Sequence, residues 1–286
     1  MNRRLVVAAG GTAVGAALLL SGCNGDGSGA NADGKTMKLS ANEALLKSSQ
    51  KTAESDTFKA DLTVTGTGSD SGKIHATGQF RLKPTLKFSA QLDEVSHNGA
   101  AVPAAKGQAI FTGDTLYAKV PQLAQFVSGG KPWVKIDVNQ VSQRTGFDVQ
   151  SLVNQVEKVN PAEQTKMFTG SKDVHQVGGE TVDGVKTVHY AGTVTVQDAL
   201  NRLDAQTRQK VDGWLPKDHA NGKINFDLWT DGNNLPRKIV SKSSDKQGDG
   251  GSVTVLYSDY GKSFGVNAPP SDQVGSMSLG SLLGGN

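Results

Sequence analysis

The side chains in this sequence able to carry chemistry are five histidines, one cysteine and a scatter of aspartates. His75, His97, His175, His189 and His219 show no pair at the separation of a local metal site, and no cysteine joins them. His75 falls on the polar side of an alternating strand and reads as a solvated residue. His97 adjoins the Asn98-Gly99 turn, and His219 lies in a Lys/Asp-rich loop. His189 can face either side of its strand, and His175 adds no pattern. No serine sits in a Gly-x-Ser-x-Gly elbow. Neither a phosphate-cradling loop nor a dinucleotide fingerprint is present. Asp70, Asp231 and Asp259 lie in or near turns, where turn chemistry accounts for them better than calcium ligation. Asp245 and Asp249, with Lys242 and Lys246, read as a solvated hairpin tip. The expectation is a protein without catalytic residues, metal or cofactor, and so not an enzyme.

The cysteine is different. Cys23 closes Leu20-Ser21-Gly22-Cys23, downstream of Arg3, Arg4 and an apolar run from Leu5 to Leu20. A positive start, a short greasy middle and small residues before the break make a secretory signal peptide. The run is shorter than the ~20 residues a helix needs to span a bilayer. The small pair before the cysteine resembles the bacterial lipobox. That resemblance implies a diacylglyceryl group on the Cys23 sulfur and cleavage just before it. The alternative is an uncleaved anchor helix, which Gly10, Gly11 and Gly15 disfavour. Two acyl chains, at ~0.8 kcal/mol per buried CH2, hold a protein firmly at a membrane. The expected location is therefore the outer face of the cell membrane, through a lipid anchor.

Removing residues 1–22 from the 286 leaves 264, enough for one large domain or two small ones. The formal charge falls from +3 to +1, because Arg3 and Arg4 go and no acidic residue goes with them. So neutral a chain has no electrostatic footprint for nucleic acid. With Cys23 acylated no thiol is left, which excludes disulfides and thiol catalysis. The 35 glycines and the low aromatic share point to many turns and to an all-β or α+β fold.

Residues 23–38, small and polar, read as a stalk. The folded domain is expected over 39–268, with a loose tail at 269–286. Ser40-Ala41-Asn42-Glu43 is a capping box. It opens a helix with Ala44, Leu45, Leu46 and Ala53 on one apolar side. From Phe58 the period becomes two. Phe58, Ala60, Leu62 and Val64 share one face, as do Ile74, Ala76, Gly78, Phe80 and Leu82, and then Leu86, Phe88, Ala90 and Leu92. Strands are expected at 107–112, 115–120, 133–138, 173–178, 185–196, 222–230, 236–243 and 252–260. Helices are expected at 149–159, 161 onward and 197–211. About eleven strands and four helices make an α+β fold, in which one long antiparallel sheet curls under its helices.

Three motifs in the second half carry a family resemblance. Gly179-Glu180-Thr181-Val182-Asp183-Gly184-Val185, leading to His189-Tyr190, resembles a strand–turn–strand signature of the LppX/LprG-type actinobacterial lipoproteins. Phe226-Asp227-Leu228-Trp229-Thr230-Asp231, followed by Leu235-Pro236-Arg237-Lys238, is similar to the hairpin these share with the wider LolA-like group. Tyr257-Ser258-Asp259-Tyr260-Gly261 with Ala268-Pro269-Pro270 looks like their closing strand. In element order the resemblance covers residues 40–270.

The resemblance implies a curved antiparallel half-barrel covered by helices, enclosing an apolar cavity for acyl chains. On that reading Leu62, Val64, Phe80, Phe88 and Leu92 face Leu152, Val153 and Val156 across the cavity, although an ordinary core would use the same residues. The loop His97–Gly107 is the candidate gate. The expected activity is tethered binding of a lipid or lipid-anchored molecule and its carriage across the envelope. The alternatives are a sensor that grips a protein partner, as in RseB-like relatives, and a structural lipoprotein without ligand.

Overall fold

Ser40 starts the first helix as the capping box requires. In the computed structural model its hydroxyl accepts the Glu43 N–H at 3.3 Å, and Glu43 Oε2 accepts the Ser40 N–H at 2.8 Å. The structure describes residues 40–68, 71–121, 124, 129–137, 159–205, 208, 222–244 and 250–276. They belong to one unit, Leu39–Asn286. Cys23, the signal peptide and the stalk lie outside the described residues, as do Leu152, Val153, Val156 and His219.

Helix α1 is Ala41–Ala53, and it corrects one sequence expectation. Ala44 and Leu45 are buried, but Leu46 is 51% exposed, and Ser48, Ser49 and Thr52 take the inner side instead. Small polar residues let α1 lie close to α2 (Pro161–Phe168), where the Ser49 hydroxyl donates to the Ala162 carbonyl at 3.4 Å. Asn160 caps α2, with proline at its first turn. Helix α3 is Val196–Leu200; the chain breaks from the helix at 201–204, residues 205 and 208 are helical again, and 209–211 lie outside the described residues. Ala199, Leu200 and Leu203 are nevertheless buried, as the apolar stripe demands.

Among the described residues thirteen strands form one sheet, two more than expected. In chain order they are β1 Thr57–Gly66, β2 Gly72–Arg81, β3 Lys87–His97, β4 Ala100–Ala101, β5 Gly107–Phe111, β6 Thr115–Lys119 and β7 Trp133–Asp137. Then come β8 His175–Val182, β9 Val185–Thr195, β10 Lys223–Asp231, β11 Pro236–Ser244, β12 Gly250–Ser258 and β13 Val274–Ser276. The additions are β4, a short arm on β3, and β13, which lies parallel to β7; every other pairing is antiparallel. The order is β13-β7-β6-β5-β3-β2-β1-β12-β11-β10-β9-β8, so the seam between β1 and β12 joins the two halves of the chain.

The alternation read from sequence becomes two faces. On one, Phe58, Phe80, Phe88, Phe111 and Leu116 pair strand to strand as a row of large buried residues. Neighbouring ring centroids are 5.1 Å (Phe58–Phe80), 6.0 Å (Phe80–Phe88) and 5.6 Å (Phe88–Phe111) apart. Ala44 and Leu45 of α1 and Phe168 of α2 join this core. At the β8–β9 turn Asp183 and Gly184 both have positive φ, 47° and 78°, the backbone a two-residue hairpin needs.

Candidate functional site

The apolar face has tiers. Next to the aromatic row runs a row of small residues, Ala60, Gly78, Ala90, Ala109 and Ala118, each paired across the strands. The Phe80 ring fills part of the relief this leaves: a Cβ on Gly78 would meet two of its ring carbons at 2.8 Å. Beyond the small row come Leu62, Ala76 and Leu92, then Val64, Ile74 and Val95. A bulge at Asp93 keeps the last pair in phase, because two residues of β2 span three of β3 there.

The five described residues expected to line a cavity therefore share one face but not one environment. Phe80 and Phe88 are buried in the aromatic core. Leu62, Val64 and Leu92 are half-buried in the outer tier, beside Ile74 at 41% exposure. The candidate gate is a built element rather than an open loop. There β4 pairs with β3, the Val102 N–H donates to the Val95 carbonyl at 2.7 Å, and Pro103–Ala105 forms a 3-10 turn.

A pocket of about 560 Å³ lies on the opposite, polar face. None of Leu62, Val64, Phe80, Phe88 or Leu92 lines it. Its floor is the middle of the sheet, including Lys59, Gln79 and Gln91, while Trp133 of β7 and Asp183 of the β8–β9 turn come from near the two ends of the strand order. For one pocket to touch both ends and the middle, the polar face must be concave there. The right-handed twist of a long sheet makes it a saddle, hollow on each face along a different diagonal.

The same face holds two pinned histidines. His189, buried, has Nδ1 facing Glu180 Oε1 and Nε2 facing Asp227 Oδ1, each at 2.8 Å. It stacks on Trp229 at 4.1 Å between centroids, and the indole N–H donates to Glu180 Oε2 at 2.8 Å. Chiefly through that indole bond, and also through His189 and Lys238, the Glu180 carboxyl sits below its ordinary range. The cluster ties β8, β9 and β10 together. His75 lies between Asp61 (3.0 Å) and Asp93 (3.6 Å), half-buried rather than freely solvated. His97 and His175 are exposed. Asp231 does turn chemistry: its carboxylate accepts the N–H groups of Asn233 and Leu235 at 2.8 and 3.0 Å, and Arg237 Nε at 2.9 Å. Among the described residues no group of His, Cys, Asp and Glu is placed to hold a metal, and no helix is long and apolar enough to cross a membrane.

No protein-family model matches the chain. A 31.2 kDa protein of Streptomyces griseus, encoded in the rplA–rplJ intergenic region, is 29% identical over 165 residues, 57% of this chain and 53% of its own length. A Streptomyces coelicolor protein named as a lipoprotein is 26% identical over 164 residues, 57% of this chain and 48% of its own. The chain thus spans about half the length of each of these relatives. Among solved structures, LprF from Mycobacterium bovis superposes with a TM-score of 0.51 over 80% of this chain and 96% of that one, at 16% identity. The likeness is one of fold: an open, curved, antiparallel sheet with its helices, the LolA-like arrangement that the hairpin motifs resemble.

Proposed function

From the fold shared with LprF of Mycobacterium bovis, we propose that this protein is an exported lipoprotein that binds the acyl chains of a lipid and carries them across the cell envelope. On this reading residues 1–22 are the signal peptide, Cys23 bears the diacylglyceryl anchor, and residues 23–38 hold the domain 39–268 off the membrane. The lipoprotein name of the Streptomyces coelicolor relative agrees with such an anchor. On this reading the work is binding rather than catalysis.

The outer tier of the apolar face carries the proposal. Leu62, Val64 and Leu92 are half-covered and Ile74 is 41% exposed, while the aromatic row beside them is closed. Leaving apolar surface wet forgoes ~25 cal/mol per Å², and a hydrocarbon chain laid there recovers it without chemistry. Sequestering each CH2 is worth ~0.8 kcal/mol, enough in sum to compete with a bilayer.

Native mass spectrometry of the protein taken from its own membrane should show a lipid adduct. A fluorescent fatty-acyl probe should bind, and a Leu62→Gln/Leu92→Gln variant should weaken it about tenfold or more. No adduct and no probe binding would retire the reading.

A further inference from the structure

The polar-face pocket has a chemistry unlike that of the apolar tier. Two rows cross the strands in it: Asp61, Thr77, Gln91 and Gln108 in one, Lys59, Gln79, Ser89 and Ile110 in the next. Among the described residues nothing is hydrogen-bonded to the side-chain amides of Gln79, Gln91 or Gln108. Each amide offers two donors and an acceptor. Of the charges beside them, Lys59 shares Asp259 with Lys262, at 2.7 and 2.6 Å, while Asp61 (3.0 Å) and Asp93 (3.6 Å) face one imidazole, His75, and the Asp183 carboxylate also lines the pocket. Alongside these charges the pocket presents neutral groups that both give and take hydrogen bonds, with the apolar Ile110 among them.

We propose that this pocket binds a neutral carbohydrate. Sugar hydroxyls donate and accept at once, which suits free amides and hydroxyls, and the C–H faces of a sugar ring suit an aliphatic wall such as Ile110. An anion would find Lys59 already held by Asp259 at 2.7 Å, so the free amides and hydroxyls are what the floor offers a ligand. The volume of about 560 Å³ lies in the range of small-molecule sites. Trp133 of β7 and Asp183 of the β8–β9 turn border the same pocket as this floor. The same chemistry is offered by a free oligosaccharide and by the head group of a glycolipid.

The test uses the full chain in detergent, titrated with maltotriose, cellotriose and mannotriose and followed by calorimetry and saturation-transfer NMR. A second arm measures binding to phosphatidylcholine vesicles with and without a monohexosyl diacylglycerol. At least one trisaccharide should bind, and Gln91→Ala/Gln108→Ala should weaken it about tenfold or more while the unfolding temperature stays put. Binding confined to glycolipid vesicles, with the same loss in the variant, supports the site and assigns the sugar to a head group. Should the double variant not fold, Gln91→Asn and Gln79→Ala make the same comparison. No binding in either arm overturns the proposal, and so does affinity that none of these variants alters. The acyl-chain reading is judged separately, by the fatty-acyl probe and variants of the other face.

Discussion

Phe168 of α2 lies flat on Phe226 of β10, ring centroids 4.2 Å apart and planes within 5°. Beneath Phe226 is Gly192, where an added Cβ would meet the ring at 3.0 Å and Ser171 Oγ at 2.9 Å. Helix, ring and glycine thus form one stack that fixes α2 on the sheet. Phe168→Ala should cost about 3–5 kcal/mol, because the ring is almost fully buried and its removal leaves a cavity. Urea unfolding should show a lower midpoint with an unchanged slope.

Tyr257 makes the second link between sheet and helix. Its buried hydroxyl is within hydrogen-bond distance of the Val159 carbonyl (3.0 Å) and Gln164 Oε1 (3.3 Å), and burial pushes its pKa well above the usual phenol value. It therefore stays a donor across the working pH range. Tyr257→Phe keeps the ring but takes the donor from two buried acceptors. The expected cost is about 1–3 kcal/mol, read from thermal unfolding.

Asp173 supplies a pH signature. Its carboxylate accepts Thr193 Oγ1 at 2.6 Å and the Thr193 N–H at 2.7 Å, and Ser171 Oγ at 2.9 Å. These bonds, the Thr193 hydroxyl first, hold its pKa at about 2. An unfolded aspartate titrates near ~3.9, so the stabilisation is present above that pH and is lost as pH falls through about 2. Asp173→Asn should be less stable than the parent at pH 7. The gap should close between pH 4 and pH 2; a gap that persists at the acid end refutes the assignment.

How much of this was readable in advance depended on whether the signal was local. Phe58, Ala60, Leu62 and Val64 declare their strand and its buried face because each alternate residue must be apolar. The β8–β9 turn announces itself through Asp183-Gly184, which tolerates positive φ. Leu46 misled, because it sits in helical phase with Ala53, while the inner side of α1 needed small groups to approach α2. The bulge at Asp93 was visible only as Val95 falling out of step with Leu92. The pairing of β1 with β12 joins segments nearly two hundred residues apart, and alternation specifies faces, not neighbours. For the same reason the polar pocket was hidden. Gln79, Gln91 and Gln108 looked like the wet side of flat strands, and only the curvature of the whole sheet turns them toward one another.

The division of the apolar face into a closed row and a half-covered tier can be tested by contrast. Phe88 is 3% exposed and stacks on Phe111, whereas Leu92, four residues on along the same strand, is half-buried. Phe88→Ala should cost about 3–5 kcal/mol, with Leu92→Ala well below it, because less of the leucine leaves water on folding. Fatty-acyl probe binding should rank them the other way in conditions where both variants are folded. Leu92→Ala should weaken the probe several-fold, while Phe88→Ala should leave it nearly unchanged. Equal losses of stability would mean the outer tier is ordinary core, with its leucine as tightly enclosed as the phenylalanine beside it.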